Sequence, residues 1–160
     1  MATTDTLRGA TNAFTFVFAY INTVGQEIGM EKAIALDAEM CAMMGAAQGQ
    51  AIKAQAGLDE IDLATAAALA DASIEEGLGI VSEVIEKSAQ RIVSRRGRCP
   101  IYEAAQMLGM DNESIEAMCR AGALRYMDTM VKQWNPNFSY RLREFRSSAE
   151  GHCIEEVVLG

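Results

Sequence analysis

Cys99 is followed by Pro100, and proline suits the first position of a helix, which makes Cys99 the N-cap. A helix N-terminus favours anions, so the amides of Ile101 and Tyr102 would face the sulfur and stabilise a thiolate there. Arg95, Arg96 and Arg98 precede it and would add positive charge, and each is suited to grip a carboxylate. Glu103, one helical turn on, stands where a proton carrier would stand. The pattern predicts Cys99 as a nucleophile of lowered pKa with Glu103 as its catalytic partner. A small residue packed into a crowded turn fits the same spacing.

Three further cysteines are spread along the chain. Cys119 falls on the apolar face of an expected helix, where a free thiol commonly acts as a small hydrophobe. Cys153 follows a turn at Gly151 and, by the period of two, points to the opposite strand face from His152. Cys99, Cys119, Cys153 and His152 could still supply a zinc or iron site from separate elements, with Glu103 or Glu144 in reserve. Cys41, amid Ala and Met, is expected in the core, as are Met40, Met43 and Met44. With one His in the chain, a Ser-His-Asp triad or a His-rich metalloprotease site would have to rest on His152 alone.

The elements that would carry these groups follow from periodicity. A first helix is expected over 5–25, with Phe14, Phe18 and Ile21 on one face and Phe16 and Tyr20 widening it. A second runs over 31–56 and stops at Gly57. The apolar positions from Leu63 to Ile92 keep helical spacing, so a third, long helix is expected over 62–95, bent near Gly77 and Gly79. A short helix from Pro100 to Leu108 ends at Gly109, and a fifth, capped by Asn112, ends at Trp134-Asn135-Pro136. The period then changes to two: Phe138, Tyr140 and Leu142 alternate with Ser139, Arg141 and Arg143, and a second β-rich run covers 153–159. The reading is an α+β protein, a bundle of about five helices followed by a C-terminal antiparallel β-hairpin. Because two strands alone are marginal in water, the hairpin must lie on the helices or extend into a larger sheet.

At 160 residues, half of them hydrophobic and 22% charged, the chain suits one domain with one core. The net charge of −8 lies entirely in residues 1–94, whereas residues 95–160 are neutral and hold eight Arg among nine bases. The acidic half would repel nucleic acid, and the Arg-rich half suits a small anionic ligand. The apolar run 13–21 is too short to span a bilayer, and no basic segment precedes it, so neither membrane insertion nor export is expected. Dispersed free cysteines suit a reducing cytoplasm. The Ala-rich third helix or the hairpin edge would make a homodimer interface.

The Gly29-x-x-x-Ala33 helix start, Arg98-Cys99-Pro100-x-x-Glu103, Cys119, Asn135-Pro136 and Ser148-x-x-Gly151-x-Cys153, in this order, carry a likeness. Over roughly residues 20–159 the chain resembles the L-2-amino-thiazoline-4-carboxylic acid hydrolase family, and its ending is similar to the related four-vinyl-reductase ligand-binding domains. The first resemblance implies hydrolytic opening of a small cyclic amidine bearing a carboxylate, with Cys99, Glu103, Cys119 and Cys153 as the residues carried over. The second implies a module that binds a small molecule or metal without turnover. His152, at a position often acidic in the family, and Ile154-Glu155-Glu156, where an aromatic-rich strand is usual, depart from the pattern.

Overall fold

The computed structural model describes residues 2–57 and 60–160. Two 27-residue helices open the chain, α1 (Ala2–Ile28) and α2 (Met30–Ala56), separated by Gly29 at φ 92°, a conformation that suits glycine. Leu7, Thr11, Phe18 and Ile21 form the buried stripe of α1. Phe16 and Tyr20 do not join it; they are exposed on the opposite side. In α2 the buried residues are Ala33, Gly45 and Gly49, and the methionines expected in the core are at least 43% exposed.

Gly45 and Gly49 explain α2. Separated by one helical turn, they let α2 press directly on α6 (Ala123–Lys132), the helix it contacts most. A Cβ on Gly45 would run into the carbonyl of Tyr126, and one on Gly49 into that of Met130. The Gly49 carbonyl accepts a 2.9 Å hydrogen bond from the buried Trp134 indole.

The long third helix is not formed. α3 (Leu63–Leu78) starts at Asp62, which accepts from the Thr65 amide at 2.7 Å, and stops at Gly79 in the left-handed conformation. The chain then forms a hairpin, β1 (Ser82–Lys87) and β2 (Arg91–Arg96), around a turn in which the Ser88 hydroxyl accepts from the amides of Gln90 and Arg91. Spacing of apolar residues alone did not separate helix from strand here. The β-branched Val81, Val84, Ile85, Ile92 and Val93 favour strand, and tertiary pairing decides it. The alanine face expected at a subunit interface is Ala66, Ala67 and Ala70, all buried in this chain's own core.

Cys99 is the N-cap of α4 (Pro100–Met107), as its neighbour proline predicts. The expected fifth helix breaks at Gly122 into α5 (Asn112–Ala121) and α6, and its cap is Asp111, one residue earlier than expected. The C-terminal hairpin, β3 (Phe138–Glu144) and β4 (Cys153–Leu159), forms. It belongs to a four-stranded antiparallel sheet of order β1-β2-β4-β3, because β4 also pairs with β2. The fold is therefore α+β, with twice the strands expected.

Two apolar clusters result. One joins α3, α6 and the inner sheet face through Ile74, Val131, Phe138 and Val157; the other joins α1, α4 and α5 through Phe18, Ile101, Ala105 and Ile115. Cys99 and Leu78 pack against both. Among the described residues no helix is long and apolar enough to cross a membrane.

The glycine contact gives a direct test by chemical denaturation. Gly45→Ala should destabilise the protein by about 1–3 kcal/mol through overpacking. Gly9→Ala, in the exposed interior of α1 with open space around it, should stabilise it by about 0.5–1 kcal/mol. Equal effects at both positions would mean that α2 and α6 do not meet this closely.

Candidate functional site

Between the two clusters lies a cavity of about 880 Å³, with residues of both α2 and α3 in its lining. Phe14, Val17, Leu69, Ile74, Met127 and Phe145 give it mainly apolar walls. Its polar residues include Arg96, Tyr140 and Glu155 from the sheet, Arg146 from the loop after β3, and the thiols of Cys99, Cys119 and Cys153.

Arg96 organises the sheet side. Its Nε donates to Glu155 at 2.8 Å, Nη1 to Asp71 at 2.6 Å and to Ser82, and Nη2 to the Tyr140 hydroxyl at 2.7 Å. Tyr140 in turn donates to Glu155, and Ser94 donates to the second Asp71 oxygen at 3.1 Å. Strand register explains the convergence: Ser94 pairs with Glu155 and Arg96 with Cys153, so these side chains share the helix-facing side of the sheet. Burial works against the charge of Arg96, but Tyr140, Glu155 and Asp71 outweigh it and raise its pKa. Burial and the neighbouring Glu155 push the Tyr140 phenol well above its usual range, against the pull of Arg96.

The three arginines expected to hold substrate separate. Only Arg96 enters the cavity, and four of its hydrogen bonds are taken up by protein groups. Arg95 points out from the sheet to Glu83, and Arg98 forms a two-pronged pair with Glu103 at 2.8 and 3.1 Å. Glu103 is held on the outside by that pair and does not line the cavity.

Cys99, Cys119 and Cys153 do reach one cavity from α4, α5 and β4. All four cysteines are free. His152 is exposed while Cys153 is buried, as strand alternation requires. Among the described residues no group of three or more His, Cys, Asp or Glu side chains is arranged to hold a metal ion. The zinc or iron set Cys99, Cys119, Cys153 and His152 is thus not assembled: the imidazole faces solvent on the other side of β4.

The expected activation of Cys99 is also corrected. Burial raises its pKa to about 11, while Arg146 and the amides of Tyr102 and Ile101 pull it down and Cys153 adds to the rise. The helix-end effect exists, but loss of water around the sulfur is larger. Cys119 is raised well above the usual thiol range by burial, and Cys41 to about 11 by burial and the charge of Asp37.

Arg146 was not singled out by sequence reasoning. Only 2% exposed, it donates to the carbonyls of Gly151 at 3.1 Å and Gly97 at 2.6 Å, and its guanidinium lies 5.7 Å from the Tyr102 ring centre. Its signal is tertiary, since the residues it contacts lie up to 50 positions away.

A model of the L-2-amino-thiazoline-4-carboxylic acid hydrolases matches residues 10–143. The chain belongs to this family. The match takes in Cys99, Glu103 and Cys119 and ends before β4, which carries Cys153 and Glu155. No curated protein matches the chain. The fold is similar to that of trafficking protein particle complex subunit 3 from Naegleria fowleri, solved covalently bound to palmitic acid: TM-score 0.59, 11% identity, covering 92% of this chain and 95% of that one.

Two measurements check this geometry. Arg96→Met should cost about 3–5 kcal/mol in equilibrium unfolding, because it leaves Asp71 and Glu155 without their cation; a loss no larger than that of an exposed pair would show the network to be dispensable. Alkylation of Cys99 should be slow at pH 7 and climb about tenfold per pH unit toward pH 10, since only the thiolate reacts. A plateau reached by pH 8 would mean the thiol is activated after all.

Proposed function

We propose that the chain binds a small organic molecule in this cavity and opens it hydrolytically, as the family's description suggests, with a small anionic heterocycle as substrate. The observation that carries the reading is the meeting of three thiols with the Tyr140–Glu155–Arg96 network inside one apolar cavity. In this reading Cys99 Sγ bonds to the amidine carbon, and the thiol proton and one from the exocyclic amino group end on the ring nitrogen as its bond to that carbon breaks, leaving the carbon on Cys99 as a C=NH thioimidate. Water then releases the product and restores the thiol. Tyr140 and Glu155 share the cavity and are the pair able to carry protons; Glu103, engaged by Arg98, orients the outer end of α4.

Binding without turnover is the second reading. It is favoured by the raised pKa of Cys99, which leaves a thiol and not a thiolate at neutral pH. A solved protein of similar fold that holds palmitic acid covalently adds support for an apolar occupant.

Incubation of the purified protein with L-2-amino-thiazoline-4-carboxylate, followed by chromatography, separates the two. Turnover that Cys99→Ala abolishes and Arg95→Ala retains supports the hydrolase, and its rate should rise with pH through the neutral range as the thiolate fraction grows. Absence of turnover, with a small molecule retained in native mass spectra, supports the binding module.

A further inference from the structure

The outer face of α2 has few of the charges that a surface helix normally carries. Between Ala33 and Ala56 only Asp37, Glu39 and Lys53 are charged. Leu36, Met40, Met43, Ala47, Gln50 and Ala54 follow one another at alternating steps of four and three residues, and all six are exposed, the first three by 43–68%. That spacing is the 3.5-residue period of a helix lying along another helix. Gly45 and Gly49, which seat α2 on α6, are on the opposite side, so the stripe is turned away from this chain's own packing. Of the six only Met40 also lines the cavity.

The stripe is graded along its length. Leu36, Met40 and Met43 make one half bulky, and Ala47 and Ala54 leave room in the other. A second copy of α2, laid antiparallel across a two-fold axis level with Gly45, sets Leu36 against Ala54, Met40 against Gln50 and Met43 against Ala47. Large then meets smaller along the whole contact. A parallel copy sets Met on Met at one end and leaves Ala facing Ala at the other.

Charge selects the same arrangement. Glu39 and Lys53 are fourteen positions apart, within about 40° of each other around the helix, and so share one flank of the stripe. Among the described residues neither makes an ion pair. A two-fold axis between antiparallel helices brings like flanks together. Glu39 of one copy and Lys53 of the other then stand about 3 Å apart along the axis, and symmetry repeats the pair. A parallel copy puts Glu39 beside Glu39.

We propose that the outer face of α2 is the contact surface of a homodimer, two copies pairing antiparallel along this stripe. The contact uses neither the alanine face of α3, which is buried, nor the free edge at β1, where a bulge between Val84 and Glu86 interrupts the strand and blunts it. It stands whether or not the cavity holds or turns over a ligand.

The test is sedimentation equilibrium of the full chain, which should give twice the 17.3 kDa chain mass at roughly 10 μM. Met43→Lys, which sets a charge near the centre of the stripe, should weaken association by about tenfold or more. Glu39→Lys and Lys53→Glu should each weaken it by about tenfold, and the double exchange, E39K with K53E, should restore it. Ile85→Lys, at the β1 edge, should leave it unchanged. Circular dichroism shows that each variant is folded. A monomer at roughly 10 μM overturns the proposal. So does a dimer that survives Met43→Lys, one that folded Ile85→Lys dissociates, or a double exchange that fails to restore association. Flotation of a monomer with phosphatidylcholine vesicles, lost in Met43→Lys, would assign this face to a lipid surface and remove the dimer.

Discussion

The side chain of Arg96 holds together more of this structure than any other. It sits at the end of β2 and reaches Ser82 on β1, Tyr140 on β3, Glu155 on β4 and Asp71 on α3, so one guanidinium ties all four strands to a helix. A buried cation shared by two carboxylates fixes position sharply, because each hydrogen bond lost would leave a charge desolvated. That constraint ties α3 to the sheet through Asp71, and α3 supplies part of the cavity wall. It also explains why Arg96 makes a poor ligand receptor, although it lies nearest in sequence to Cys99 of the arginines inside the cavity.

The cavity follows from where close packing ends. Gly45 and Gly49 draw α2 tightly to α6, and the Ala-rich face of α3 packs on α6 and the sheet, but α2 and α3 share no extensive contact. The space between them is left to Met40, Met44, Ile52 and Leu69. Thus the partial exposure of Met40 and Met44 goes with their place in the cavity wall, and flexible thioether side chains suit a wall that must accommodate an occupant, whereas Met43 is exposed away from it.

For the thiols of Cys99 and Cys119 and the phenol of Tyr140, desolvation is the largest influence. The Cys99 thiol has a helix N-terminus and the Arg146 cation in its favour, and burial still pushes its pKa up to about 11. Burial also raises the Cys119 and Tyr140 groups. The polar end of the cavity is therefore a store of protons on neutral groups. Any chemistry run there must begin by moving a proton.

Local sequence determined a good deal. Pro100 made Cys99 an N-cap, Gly57 stopped α2, and the alternation from Phe138 onward required a strand, because each rests on backbone geometry or a side-chain period within a few residues. The segment from Val81 to Arg96 was ambiguous for the same reason: its apolar spacing satisfies a helix, and only pairing of β2 with β4, some 60 residues later, makes it a hairpin. Tertiary structure alone decided which arginine meets the cavity. Arg95, Arg96 and Arg98 look equivalent in a row, yet strand alternation and the turn before α4 send one inward and two to solvent. Arg146 carries no local mark, since its surroundings, the carbonyls of Gly97 and Gly151 and the ring of Tyr102, come together only when the loop after β3 closes over α4.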